Sequence, residues 1–244
     1  MKKARIFTIN FHSFSTNFII FAMLISLSLM AVFGVKTVVS STVINGVYYS
    51  GDENANKVSL MINVYWGTEY LDEMLEILAE NDVTTTFFVG GTWAVQQSEM
   101  LKKIYDQGHE IGNHGYYHKD QGELTEAKNY EEIFNTHKLV KTLIGIDMNL
   151  FAPPSGSYNK KTVEVASELG YKTIMWTEGK DTIDWRDKDS ELIYKRATKN
   201  CKGGDLILMH PTEATKNALD RIIKTLKGNG LEVCTVSKNI GPIS

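Results

Sequence analysis

The chain carries little net charge. Its 26 Lys and Arg residues against 29 Asp and Glu leave a formal −3 over 244 residues. That gives no long-range attraction to nucleic acid or to an anionic polymer. Cysteine is scarce, with only Cys201 and Cys234 present. Whether they pair is left open, because Cys234 lies in an apolar strand candidate where a free thiol packs equally well. No Gly-x-Gly-x-x-Gly follows the first strand and no Gly-Lys-Ser/Thr occurs, so dinucleotide and P-loop chemistry have no support. A further absence is more pointed. The first strand of the main domain ends Met61-Ile62-Asn63-Val64-Tyr65-Trp66-Gly67, without a carboxylate.

Long uncharged runs are present only near the start. Lys2, Lys3 and Arg5 precede residues 18–35, which hold no charge and are mostly Phe, Ile, Leu, Met, Ala and Val. As a helix this run spans about 27 Å, close to the hydrocarbon core of a bilayer. The reading is a single-pass anchor in the cell membrane over residues 18–35, with residues 1–17 cytoplasmic and the main domain extracytoplasmic. A cleaved leader is the alternative. The run is long for one, and Ser-Ser-Thr at 40–42 is a poor cleavage site. No cysteine follows closely enough for a lipid anchor. Residues 36–56 read as a linker with an edge strand or hairpin arm over 42–49, turning at Ser50-Gly51-Asp52-Glu53.

From residue 57 to 244 strand and helix signals alternate. Apolar runs at 58–62, 85–89, 109–112, 149–151, 172–175, 206–209 and 231–236 predict strands. Helical spacing appears over 69–81, 125–143, 159–169, 189–200 and 213–226. The class is α/β, either an incomplete (β/α) barrel of about seven strands or an open doubly wound sheet. Both layouts bring the residues just past the strand ends to one face.

Those strand ends hold the chemistry-bearing residues. His114 and His118 lie four apart in Gly108-His109-Glu110-Ile111-Gly112-Asn113-His114-Gly115-Tyr116-Tyr117-His118. On a helical turn they would present two imidazoles to a divalent metal such as Zn²⁺. Surface or supporting histidine is the plainer reading, and His109 is expected to be structural. His210 ends a later strand and suits a general acid if Asp181 or Asp184 orients its other nitrogen. Trp66, Trp176, Trp185, Pro154 and Tyr158 are candidate groove residues, although tryptophans at strand ends also simply pack a rim. A hydrolytic centre further requires an anionic ligand and a base. Asn63 cannot take a proton near neutrality, Val64 can do neither job, and Glu69 and Asp72 lie further on.

Taken in order, Val58-Ser59-Leu60-Met61-Ile62-Asn63, Thr86-Phe87-Phe88-Val89-Gly90, the histidine segment, Phe151-Ala152-Pro153-Pro154-Ser155-Gly156, Asp181-Thr182-Ile183-Asp184-Trp185 and Leu206-Ile207-Leu208-Met209-His210 resemble the polysaccharide deacetylase family (NodB homology domain, carbohydrate esterase family 4). Trp66-Gly67 and Met209-His210-Pro211-Thr212 look most like its membrane-anchored, sporulation-associated subgroup.

The resemblance implies a distorted (β/α) barrel that removes acetyl groups from N-acetylated glycan, peptidoglycan or chitin-like, with water activated at a divalent metal. In the family's pattern one aspartate is the base, a second joins two histidines on the metal, an arginine holds the base, and a histidine protonates the leaving amine. His114, His118 and His210 carry over. Asn63, Val64 and Ala152 stand at the base, metal-aspartate and arginine positions. The resemblance therefore implies a weak or absent metal, with Asn63 as a further ligand through its carbonyl oxygen, and activity lost or strongly reduced. The alternatives are an active deacetylase whose base has moved to Glu69 or Glu178, and a non-enzymatic protein-interaction domain. Cell-wall glycan is the expected partner, together with the membrane, and no protein partner is indicated.

Overall fold

The computed structural model describes residues 17, 18, 20–25 and 41–241, with the backbone alone at 41–44. Two compact units divide at Val38 and Val39. In the first, residues 17, 18 and 20–25 are helical. Among the described residues no helix is long and apolar enough to cross a membrane. The eight described helical residues account for a rise of only about 12 Å, under half of a hydrocarbon core. The anchor expected over residues 18–35, and the single-pass placement and membrane contact built on it, therefore find no support. Residues 19 and 26–35 of that expected span lie outside the described residues.

The second unit is a distorted, nearly closed barrel. Its strands are β1 (Ser41–Ile44), β2 (Val47–Asp52), β3 (Lys57–Val64), β4 (Thr86–Val89), β5 (Glu110–Asn113), β6 (Leu150–Phe151), β7 (Lys172–Ile174), β8 (Leu206–Met209) and β9 (Glu232–Val233). The order is β1-β2-β7-β6-β5-β4-β3-β8, with β9 beside the start of β3. From β2 to β8 all seven strands are parallel. The segment after β7 returns along β8, where Thr182 N–H donates to Leu208 O at 3.1 Å and Leu208 N–H to Lys180 O at 2.9 Å. Gly51 N–H donates to Gly204 O at 2.7 Å. These bonds draw the two edges together and decide for the barrel over the open sheet.

The strands are apolar on both faces because both are covered. On β3, Val58, Leu60, Ile62 and Val64 pack under the helices, whereas Met61 joins Phe88, Leu150, Ala152, Ile174 and Leu206 inside the barrel. Asn63, next on the inner face, reaches the barrel mouth. The outer layer is α1 (Leu71–Glu80), α2 (Gly91–Gln96), α3 (Ser98–Asp106), α4 (Glu126–Ile144), α5 (Lys160–Glu168), α6 (Ser190–Thr198) and α7 (Glu213–Gly228), and α8 (Val236–Ile240) closes the far end of the chain. Side chains cap five of these at their N-termini: Thr125, Asn159, Asp189, Thr212 and Thr235.

The structure departs from expectation at three places. Residues 41–52 form a hairpin that turns at Asn45-Gly46, both at positive φ (52° and 81°), as a tight two-residue turn demands. Ser50, Gly51 and Asp52 are therefore strand, not turn, and β2 is a member of the barrel. Residues 91–106 hold two helices that were not anticipated. The run at 231–236 supplies only two strand residues before Thr235 caps α8.

His109 is structural, as its place before β5 suggested. It is buried, its Nδ1 accepts from Thr85 N–H at 3.2 Å, and Phe87 packs against its ring. Burial pushes its pKa from the ordinary 6.5 down to about 4. The unfolded chain binds this proton first as pH falls, so stability present above pH 6.5 drains away toward pH 4. The expected loss is up to about 3 kcal/mol from this residue. Urea midpoints measured across that range should fall in wild type and fall less in His109→Gln; parallel curves would refute the assignment.

Candidate active site

The histidine segment leaves β5 as a clamped loop, not a helical turn. Asn113 fixes its start: Oδ1 accepts from Gly115 N–H at 2.9 Å, while Nδ2 donates to Ile133 O at 2.8 Å and to the Tyr171 hydroxyl at 3.2 Å. Glu132 of α4, buried, fixes its middle by accepting from the N–H groups of Tyr116 and Tyr117, each at 2.8 Å. Gly115 turns at φ 71°, and a Cβ there would crowd Gln121, Glu132 and Pro154 at 3.2 Å. The loop delivers His118 in the left-handed region at φ 54° and brings its ring to 5.0 Å from that of His114.

His114 is buried and donates from Nδ1 to Ala152 O at 2.7 Å, so its Nε2 lone pair is free. Burial first, then the neighbouring His118, push its pKa down to about 3. Burial also lowers that of His118. Both rings are neutral near pH 7, as ligation requires.

Between these imidazoles and His210 lies a cavity of about 360 Å³, walled by Asn63, Tyr65, Trp66, His114, His118, Ser155, Gly156, Trp176, Asp181, Trp185, Leu208 and His210. Asn63 is 5% exposed and its Oδ1 has no hydrogen-bond partner. Val64, at the metal-aspartate position, is wholly buried in the outer layer, and Ala152 packs inside the barrel.

His210 is held from behind. Its Nδ1 donates to Asp184 Oδ1 at 2.7 Å, its backbone N–H donates to Asp184 Oδ2 at 2.6 Å, and the Thr215 hydroxyl donates to the same oxygen. Trp66 stacks on the imidazole at 5.7 Å with 10° between planes. Of the two aspartates considered for orienting His210, Asp184 makes the contact and Asp181 lines the cavity instead. Asp181 Oδ1 accepts from Ile183 N–H at 2.7 Å, and burial raises its pKa. Ile183 between them sits at φ 56°. For a β-branched residue this costs about 1–3 kcal/mol and persists only where the surroundings enforce it. Here the enforcing bonds are those of Asp181, of Asp184, and of Thr182, whose hydroxyl and N–H both reach Leu208 O.

Trp176 and Trp185 line the cavity, Trp185 at its exposed rim. Pro154 is buried beneath the wall that Ser155 and Gly156 present. Tyr158 bonds to the Tyr49 hydroxyl and lines a separate groove with Tyr48, Tyr171 and Lys172. Glu69 and Glu178 are exposed and lie outside the cavity wall. Sequence reasoning missed Tyr65, which packs at 4.9 Å from the His118 ring and accepts from Thr92 at 2.8 Å. Its position just past the end of β3, where residues converge on one face, was a signal available in the sequence.

Among the described residues no group of three or more His, Cys, Asp or Glu is placed to hold a metal. The orphaned Oδ1 of Asn63 shares the cavity wall with His114 and His118. Two imidazoles and that amide oxygen fit a divalent ion, by neutral donors alone.

These features define a deacetylase-type barrel with an altered centre, and comparison with known proteins gives the family. The polysaccharide deacetylase family model matches residues 50–174, and the chain belongs to that family. The uncharacterised protein YlxY of Bacillus subtilis is 39% identical over 78% of this chain. The chain spans 59% of that relative's length. A peptidoglycan-N-acetylglucosamine deacetylase of Bacillus cereus is 31% identical over 69% of this chain and 81% of its own. A family 4 carbohydrate esterase pseudoenzyme from Bacillus anthracis superposes with a TM-score of 0.78 at 35% identity, covering 82% of this chain and 70% of the other. A variant of that pseudoenzyme with restored activity superposes equally, at 33% identity over 82% and 72%. The residues matched by the family model lie within the barrel unit. With no membrane-crossing helix among the described residues, the membrane-anchored, sporulation-associated subgroup is not supported.

Proposed function

We propose that this chain is a polysaccharide deacetylase-like protein that binds cell-wall glycan and has lost most or all of its hydrolytic activity. The observation carrying this reading is Asn63: a buried amide with an orphaned oxygen stands where the family has its base. The rest of the apparatus supports glycan binding. His210, braced by Asp184, faces the cavity as a proton donor toward a leaving amine, and Trp66, Trp176 and Trp185 offer ring faces to a sugar. His114, His118 and Asn63 would hold a divalent ion, Zn²⁺ among the candidates, and the neutral donor set makes that hold weak. Bound there, the ion would polarise the acetamido carbonyl. No residue at position 63 then removes the proton from an attacking water, a loss of about 10²–10⁴-fold in rate. The likeness to a pseudoenzyme of the same family favours the same reading.

The test is acetate release from N-acetylglucosamine oligomers in the presence of Zn²⁺, Co²⁺ or Mn²⁺. The expected result is binding with no release above the His114→Ala variant. Steady turnover that His114→Ala abolishes would overturn the proposal in favour of a relocated base.

A further inference from the structure

The cavity wall combines a single negative charge with aromatic rings. Asn63 lines it, with its Oδ1 buried and unpartnered. His114 commits Nδ1–H to Ala152 O and is left with the lone pair of Nε2, while the Nδ1 of His210 is held by Asp184 Oδ1. Asp181 lines the cavity, and its Oδ1 accepts from Ile183 N–H at 2.7 Å. The remaining wall is largely aromatic, with Tyr65, Trp66, Trp176 and Trp185. Arg186 lies over the Trp185 ring at 5.9 Å, but its guanidinium is tied to Asp187 by two bonds of 3.0 Å. Asp181 is the one carboxylate in the wall.

An acetamido group is neutral and gains nothing from the charge of a carboxylate. An ammonium offers three N–H donors and a positive charge suited to aromatic faces. We propose that this pocket selects the N-deacetylated glycan, an amino sugar whose ammonium is recognised by Asp181 and the aromatic faces around it, over the N-acetylated form. The inference rests on the glycan-binding reading above and names the sugar chemistry the site prefers. It requires no turnover. The protein reads the product of a deacetylase, so a deacetylation reaction elsewhere must supply its ligand.

Isothermal titration of the chelator-treated chain at neutral pH, with glucosamine and N-acetylglucosamine oligomers of matched length, tests this. The glucosamine oligomer should bind at least about tenfold tighter, the scale of one hydrogen bond to a charged group. Asp181→Asn keeps an acceptor for Ile183 N–H, so it should fold. It should remove the preference by weakening the amine form alone. Equal or tighter binding of the acetylated oligomer overturns the inference and leaves the glycan reading standing. Binding of neither oligomer removes both. An amine preference that persists in Asp181→Asn also overturns it, since general attraction to a chain of net charge −3 would then account for it.

Discussion

Asn63→Asp made together with Ala152→Arg is expected to raise acetate release from N-acetylglucosamine oligomers by about 10²–10⁴-fold over wild type, the usual worth of a general base. The family resemblance pairs the two positions as base and supporting arginine. Asn63 is 5% exposed and Ala152 is 3% exposed. A lone carboxylate at the first, or a lone guanidinium at the second, would be a buried unpaired charge, and each single variant should lose about 3 kcal/mol of stability. Paired, they should lose less than the sum, with a coupling of about 2 kcal/mol or more in a double-mutant cycle. Val64→Asp is excluded from the rescue on structural grounds. That side chain points into the outer layer with Leu71 and Leu75, where a charge would meet no partner. Acetate release and urea midpoints on the four proteins of the cycle decide the matter. A folded double variant no faster than wild type would show that more than the base is missing. Restored activity in a variant of the related pseudoenzyme shows that a barrel of this kind can be returned to function.

The strands were legible where a continuous apolar run coincided with burial on both faces. β3, β4 and β8 lie within a few residues of expectation because nothing else in the chain reads as Val58–Ile62 or Leu206–Met209 does. The hairpin was misplaced because Ser50-Gly51-Asp52-Glu53 resembles a turn in composition, whereas Asn45-Gly46 satisfies the stricter backbone demand. The two helices over 91–106 were hidden by their shortness and by the break at Gln97. Membership of the site could be read from strand ends, since Asn63, His114, Asp181 and His210 all reach one cavity. What each does there could not. Asp181 and Asp184 are three residues apart with the same side chain, and only the left-handed Ile183 between them turns one to the wall and the other beneath His210. Likewise the spacing of His114 and His118 suggested a helical turn, while the loop is in fact fixed from outside the segment by Glu132.

The second large effect concerns Asp184. Its side chain is fully buried and accepts from three donors: His210 N–H, His210 Nδ1–H and the Thr215 hydroxyl. Asp184→Ala leaves all three without a partner, and the expected loss is about 3–5 kcal/mol in the unfolding free energy, measured by urea denaturation. Asp184→Asn keeps one oxygen and sets an NH₂ group against donors on the other side, so it should lose less. It should also change the site in a way that simple destabilisation would not. With the amide nitrogen facing His210 Nδ1, that nitrogen must become the acceptor and the proton must move to Nε2, toward the cavity. Nitrogen chemical shifts of His210 distinguish the two tautomers directly. A wild-type pattern in Asp184→Asn would mean that the remaining oxygen has turned to face the imidazole, leaving the unmet donors to His210 N–H and Thr215. A denaturation midpoint unchanged in Asp184→Ala would be inconsistent with any structural role for this carboxylate, and with it the braced His210 on which the reading of the site as a former proton donor depends.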